Sequence, residues 1–527
     1  MKRCSGKMLA GPLAALVGLG VAAMPGIGLA NSFILGTTPA GDAAALVPNG
    51  VDTAIKALPS LVQEVMERSG VPGMAVAVIH EGETVFLEGF GVRNLDTGEP
   101  VTSDTVFQVA SVSKSVSATI AAIAVSEGRV AWDDPISGHL PGFALSDPYV
   151  AQHATIGDFF AHRSGLPATA GDELEDLGFG RTAIIERLAL VPLDPFRISY
   201  NYANFGTTLA AEAVAASYGK DWETLAEELL FTPLGMKDTS YRHADFLAAP
   251  DRAHLHAFED GAFRPLYDRQ PDAQAPAGGV SSTAGDLARW IALLLAEGQH
   301  GDEAMIARHA LLPALQPQVT SAPAASLSER PGTYGFGFNV GVSATGRPVM
   351  NHSGAFMLGT GTHFQIMPEQ KLGILVLSNG APVGAVEAIG SAFMDMVQFG
   401  TYTRDWYGAY HSVMSAMFEP IGDLAGLDRP QTALPHADLG TYEGRFNNPY
   451  FGPAEIAIHD GKLVLSLGPV PYRFPLEHWS GNVFALAPSN ENAPPGSLSS
   501  VTFDHDGSRA TGFLVEYLNE NGLGHWE

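Results

Sequence analysis

The sequence predicts an α+β chain: a sheet flanked by helices with a helical cluster, followed by a small β-barrel or sandwich. Three observations lead there. Apolar strand runs at 73–80 and 84–90 are answered, after a long interval, by others at 334–340, 362–367 and 372–379. Between about 140 and 330 the pattern is mostly helical, punctuated by Pro and Gly. Beyond 438 come short strand-like runs without helix, separated by turns such as Asp460-Gly461 and Asp506-Gly507.

The first thirty residues have the make-up of an export signal. Lys2, Arg3 and Lys7 give a basic start, residues 8–24 are nearly all apolar or small, and Gly28-Leu29-Ala30 offers small residues for cleavage. Those three bases are the segment's only charges, so its loss would take the net charge from −27 to −30. Cys4, the single cysteine, lies inside it and too near the start for lipidation. The mature chain is therefore expected to be periplasmic or secreted, with no disulfide, thiolate metal site or cysteine nucleophile. No apolar run after Ala30 reaches the ~18–20 residues of a membrane span.

Residues 31–402 read as one domain. A helix over 54–68 stops at Gly70 ahead of Pro72. The first two strands are joined by Glu81-Gly82-Glu83, and residues 107–110 lead into Ser111 and a strongly helical 112–127. Helical patterns at 184–190, 205–218, 223–230 and 285–295 fill the middle, and another at 384–397 follows the returning strands. Residues 403–437 read as a helix (406–418) and a Pro-, Asp- and Gly-bearing linker. Residues 438–527 form the β domain, with runs at 440–446, 455–458, 463–467, 501–504 and 512–518. Charged residues at 16% against 46% hydrophobic exclude a mainly disordered chain. Acids outnumber bases 56 to 29, a surface that repels phosphate backbones and argues against a nucleic-acid partner.

Chemistry is signalled first by Ser111-Val112-Ser113-Lys114. Three residues along a helix bring two side chains onto one face, so Lys114 can reach Ser111. A serine hydroxyl is a poor nucleophile until a base takes its proton, and burial can make a lysine that base by disfavouring the ammonium. The helix N-terminus adds free N–H groups for an oxyanion. Ser217-Tyr218-Gly219-Lys220 has the same spacing but sits at a helix end, where Lys220 should point to water. Tyr202-Ala203-Asn204 supplies a phenol that can relay protons and an amide that can anchor a lysine or a carbonyl; alone, it reads more readily as a capped, aromatic helix start. His352-Ser353-Gly354 follows a strand-like 348–351 and precedes Ala355, and glycine there permits close backbone approach. His254-Leu255-His256 lacks a third ligand and reads as ordinary surface, and no metal or cofactor is expected.

These three motifs, in this order, resemble the penicillin-recognising serine hydrolases, a group spanning class C β-lactamases, DD-peptidases, D-aminopeptidases and lactamase-like esterases. The resemblance covers about residues 58–396 and extends to Ala161-His162-Arg163-Ser164-Gly165-Leu166-Pro167, Thr232-Pro233-Leu234-Gly235-Met236 and Ala277-Gly278-Gly279-Val280-Ser281-Ser282-Thr283. It implies a β-lactamase/transpeptidase-like fold. Ser111 would be the acylated nucleophile, Lys114 its proton acceptor and Tyr202 the relay to the leaving group. Asn204 would orient Lys114 and substrate, His352, Ser353 and Gly354 would line the cleft, and the amides of Ser111 and Ala355 would form the oxyanion hole. Whether Lys114 or an ionised Tyr202 is the base stays open. Where β-lactamases usually carry a lysine in the third motif, this chain has His352, which favours a peptidase or amidase on peptides or D-amino-acid-containing amides. A carboxylesterase, a weak β-lactamase and a non-catalytic receptor for small molecules are the alternatives. The last 90 residues resemble a lipocalin-like domain, which could narrow the cleft or carry homo-oligomer contacts.

Overall fold

The two groups of strand runs build a single eight-stranded antiparallel sheet. Its order is Glu83–Gly91, Gly73–His80, Leu372–Ser378, Thr360–Met367, Pro348–Phe356, Asn339–Val342, Gly332–Tyr334 and Val319–Ala322. The computed structural model describes residues 43–488 and 490–527, so the expected signal segment with Cys4 lies outside them. The first hairpin turns on two residues, Glu81 (φ 53°) and Gly82 (φ 90°). Positive φ at both matches the right-handed twist of the flanking strands.

Alternation along Gly73–His80 splits the molecule into layers. Met74, Val76 and Val78 face helices Gly50–Ser69 and Ala385–Phe399, while Ala75, Ala77 and Ile79 face helices Val112–Ser126 and Ala284–Leu295. Helix Gly50–Ser69 buries Ala54, Leu58, Leu61, Val62 and Val65, an apolar stripe at helical spacing. Each fully buried Leu or Val contributes about 1.5–3 kcal/mol of transfer free energy.

The expected strand at 334–340 is instead two short strands, Gly332–Tyr334 and Asn339–Val342, joined by a tight turn. The Gly335 N–H donates to the Phe338 carbonyl at 2.8 Å. At Gly337 (φ 77°) a Cβ would sit 2.6 Å from the Lys114 carbonyl oxygen, and Ser115 Oγ donates to the Gly337 carbonyl at 2.5 Å. The chain breaks there because it passes against the backbone of the central helix.

Helix Trp406–Met414 continues as a 3₁₀ turn, Ser415–Phe418. The C-terminal strands form two ladders. One runs Gly444–Phe446, Ala454–His459, Lys462–Leu467 and Tyr472–Pro475; the other runs Glu477–Ser480, Val483–Leu486, Ser499–His505, Ala510–Val515 and His525–Trp526. Tyr442, Phe446, Phe484, Phe503, Phe513 and Trp526 pack together edge-to-face and stacked among them. No closed barrel forms among the described residues. The chain passes from one ladder to the next through Pro475 and Leu476, whose N–H still donates to the Leu463 carbonyl at 2.8 Å, and starts the second ladder at Glu477. Asn447 and Glu527 tie the opposite edges by reciprocal backbone bonds of 2.7 and 3.1 Å. Apolar packing is continuous from helix Val112–Ser126 into these ladders.

Candidate active site

The site is assembled where the sheet meets the N-terminus of helix Val112–Ser126. A two-residue strand, Phe107–Gln108, pairs with Ser281–Ser282 and delivers the chain to Ala110. Ala110 is left-handed (φ 47°), a conformation that costs an alanine about 1–2 kcal/mol. It is held by its neighbour: Val109 donates its N–H to the Val280 carbonyl at 2.9 Å and accepts from Thr362 Oγ1 at 2.7 Å. Ser111 follows as the helix N-cap, yet its hydroxyl makes no capping bond and is free for other partners.

Helix Val112–Ser126 is buried on all sides from Val112 to Ala124, so Lys114 is sealed from water. Its Nζ lies 3.1 Å from Ser111 Oγ, 2.7 Å from Asn204 Oδ1 and 3.0 Å from the Ala277 carbonyl oxygen. Burial pulls the Lys114 pKa down to about 7, against an opposing pull from Asp172. A neutral amine keeps two N–H donors and one lone pair. With the donors engaged by Asn204 and Ala277, the lone pair is left for the Ser111 proton.

Tyr202 completes this group. Its ring centroid is 4.5 Å from Lys114 Nζ, and its hydroxyl interacts with the Ser111 side chain. Burial drives its pKa far above the ordinary phenol value, so Tyr202 stands as a neutral phenol. Asn204 opens helix Asn204–Tyr218 and donates Nδ2 to Asp172 Oδ2 at 2.9 Å.

Strand Pro348–Phe356 forms the facing wall. His352 is buried; its Nε2 pairs with the Tyr334 hydroxyl at 2.9 Å and its Nδ1 with the Ser353 carbonyl at 2.6 Å. Burial, then the nearby Lys114, lower its pKa to about 3, so it is uncharged at neutral pH. A Cβ on Gly354 would lie 2.2 Å from the Val109 carbonyl oxygen and 2.9 Å from the Ser111 nitrogen, so only glycine lets the strand reach the nucleophile. Ala355 is the next residue along. Ser353 is the departure from expectation. Its Oγ meets His363 Nδ1 at 3.0 Å and the Glu387 side chain, on the opposite face of the sheet. Strand alternation puts it there; only its carbonyl serves the cleft side, through His352.

The structure thus brings together Ser111, Lys114, Tyr202, Asn204, His352, Gly354 and Ala355. Sequence reasoning missed Asp172, Tyr334 and the role of His162. His162 is buried and left-handed (φ 55°), accepts from the Ala203 N–H at 3.2 Å and packs its ring 4.5 Å from that of Tyr202. Its only signal was its place in the 161–167 segment. The rival Ser217 donates to the Val214 carbonyl at 2.7 Å, while Lys220 lies exposed in an ion pair with Glu228. His256 is buried between the Leu95 N–H and the Asn379 carbonyl, so it holds loops together. Among the described residues no cluster of three or more His, Cys, Asp or Glu could hold a metal, and no helix is long and apolar enough to cross a membrane.

Fold and site together define a class, the serine hydrolases. The chain belongs to the β-lactamase family: that family, described as Beta-lactamase, matches residues 58–394. A domain of unknown function, DUF3471, matches residues 428–518. The chain is 28% identical over 388 residues to Penicillin-binding protein 4 of Amycolatopsis lactamdurans, covering 71% of this chain and 93% of that one. It is 24% identical over 334 residues to the D-alanyl-D-alanine-carboxypeptidase/endopeptidase AmpH of Escherichia coli (strain K12), covering 62% and 85%. The fold is shared with the octameric penicillin-binding protein homologue of Pyrococcus abyssi at a TM-score of 0.57 and 18% identity, covering 88% of this chain and 98% of that one.

Proposed function

We propose that this chain is an exported serine peptidase or amidase that works through an acyl-enzyme on Ser111, acting on peptides or D-amino-acid-containing amides. The observation that carries the reading is the buried Lys114 Nζ, 3.1 Å from Ser111 Oγ and poised near neutrality. Ser111 Oγ attacks the amide carbonyl as its proton passes to Lys114. The developing oxyanion is met by the N–H groups of Ser111 and Ala355 at the positive end of the helix. The proton then travels from Lys114 through the Tyr202 hydroxyl to the departing amine, and water releases the acyl group by the reverse relay. With Tyr202 held neutral, the geometry favours Lys114 as the base.

Two further points support an amide over a β-lactam. His352 offers no fixed positive charge for a substrate carboxylate. One relative is named a D-alanyl-D-alanine-carboxypeptidase/endopeptidase. Residues 438–527 we read as a lipocalin-like β module, and the octameric state of the Pyrococcus abyssi homologue makes a homo-oligomer the assembly to look for. The test compares kcat/KM on D-amino-acid p-nitroanilides, p-nitrophenyl esters and nitrocefin. Highest efficiency on an anilide supports the reading. Esters turned over as well as or better than every anilide would overturn the substrate assignment in favour of an esterase.

A further inference from the structure

The C-terminal ladders send one loop segment, residues 490–498, back into the hydrolase part of the chain. At its tip Glu491 is 12% exposed, and its carboxylate does something specific. Oε1 accepts from the Met357 N–H at 2.7 Å and Oε2 from the Leu358 N–H at 3.4 Å. Those amides form the tip of the hairpin between strands Pro348–Phe356 and Thr360–Met367, two and three residues beyond Ala355. Gly359 closes the same tip with φ 136°, and a Cβ there would lie 2.1 Å from the His256 nitrogen. The turn is therefore pinned from one side by packing and from the other by Glu491.

A buried arginine connects this pin to the rest of the cleft. Arg269 Nε stands 4.0 Å from Glu491 Oε2, and its Nη2 is 2.6 Å from Glu175 Oε2. Its guanidinium lies over the Phe356 ring, 5.2 Å from the centroid, and its carbonyl accepts from Gln108 Nε2 at 2.7 Å. Gln108 is three residues before the nucleophile and Phe356 one residue after Ala355. Next to Glu491, Asn492 Nδ2 donates to Asp176 Oδ2 at 2.8 Å, on the short helix Asp172–Asp176 whose first residue holds Asn204. One loop thus touches the element behind Asn204 and the hairpin behind Ala355. Burying a carboxylate this deeply is costly: two backbone donors meet its oxygens and the charge of Arg269 opposes the penalty, yet burial still lifts its pKa to about 7.

We infer that Glu491 is a positioning residue for the oxyanion hole: by capping Met357 and Leu358 it fixes the strand end that presents the Ala355 amide to Ser111. The C-terminal module is on this view a structural part of the catalytic cleft. The inference rests on the acyl-enzyme reading above. A misplacement of about 1 Å at a transition-state donor is worth up to about a hundredfold in rate, with little change in substrate affinity.

The test uses the full chain with Glu491→Gln, Glu491→Ala and Glu491→Asp, and Arg445→Ala as a control in the same C-terminal module. Arg445 lies exposed on strand Gly444–Phe446, where its Nε stands 3.6 Å from Glu455 Oε1 at the surface. Steady-state kinetics, the rate constant for labelling by a fluorophosphonate, and thermal unfolding are measured on each. For the Gln and Ala variants kcat and labelling rate are expected to fall about tenfold or more, with KM within about threefold and unfolding shifted by only a few degrees. Asp, which keeps two acceptor oxygens, is expected to recover part of the loss, and Arg445→Ala to match the wild type. Wild-type kcat in Glu491→Gln and Glu491→Ala, or an equal loss in Arg445→Ala, overturns the inference while leaving the acyl-enzyme reading intact. A wild-type chain that never labels fails that reading and this inference with it.

Discussion

Lys114 offers a prediction in which activity and stability must move with the same group. In the unfolded chain its pKa returns to 10.5, and in the folded chain it is about 7. The folded state therefore binds fewer protons than the unfolded state between those values, and stability must rise with pH across that window. Below about pH 7 the ammonium is carried buried and the full penalty applies, about 3.5 pKa units or roughly 5 kcal/mol. Between about pH 6 and pH 9 this one residue should raise unfolding free energy by about 2.5 kcal/mol. Lys114→Met removes the titration but orphans the Asn204 and Ala277 oxygens at about 1–3 kcal/mol each, so absolute stability is a poor readout and its pH slope a clean one. The assay is urea unfolding of both proteins at pH 6, 7.5 and 9, paired with kcat/KM over the same range. Wild-type kcat/KM should rise along a single limb with a midpoint near 7, and Lys114→Met should lose about 10²–10⁴-fold in activity. Identical pH slopes in the two proteins, or a wild-type activity midpoint near 10, would refute the argument that burial neutralises this amine.

Other expectations follow from the walls of the cleft. Gly354→Ala must force its Cβ against the Val109 carbonyl at 2.2 Å, so it is expected to cost about 1–3 kcal/mol and to suppress labelling of Ser111; calorimetry and fluorophosphonate mass shifts read both. His352 should show no titration between pH 5 and 8 in its imidazole NMR resonances, because burial and Lys114 hold it neutral; a midpoint near 6.5 would contradict that. Ser217→Ala should leave turnover unchanged, since Lys220 is committed to Glu228 at the surface.

The catalytic group was legible because its chemistry is written in local spacing. Ser111 and Lys114 share a helix face, and the small apolar residues after Lys114 announce that the face is buried. Lys220, beside Gly219, lacks that setting, and the structure separates the two in the same way. Period-two and helical patterns likewise placed the sheet and its helices. What escaped depends on contacts between distant segments. The break at Gly335–Phe338 is dictated by the Lys114 carbonyl, which no window of residues around 334–340 contains. Ser353 was read with its motif although alternation sends it to the other face. Asp172 and Glu491 belong to no motif; their buried partners, Asn204 and the Met357–Leu358 amides, lie far away in sequence. The arrangement of those strands, read from the sequence as a small barrel or sandwich, is likewise set by pairings between distant segments such as Asn447 with Glu527.

The proposal at the centre, a covalent acyl-enzyme on Ser111, is tested most directly by intact-mass analysis after fluorophosphonate treatment. One added phosphonyl group on the wild-type chain, mapped by peptide sequencing to Ser111 and missing from a folded Ser111→Ala, is the result expected. An unmodified wild type, or a label that persists in Ser111→Ala, would contradict it.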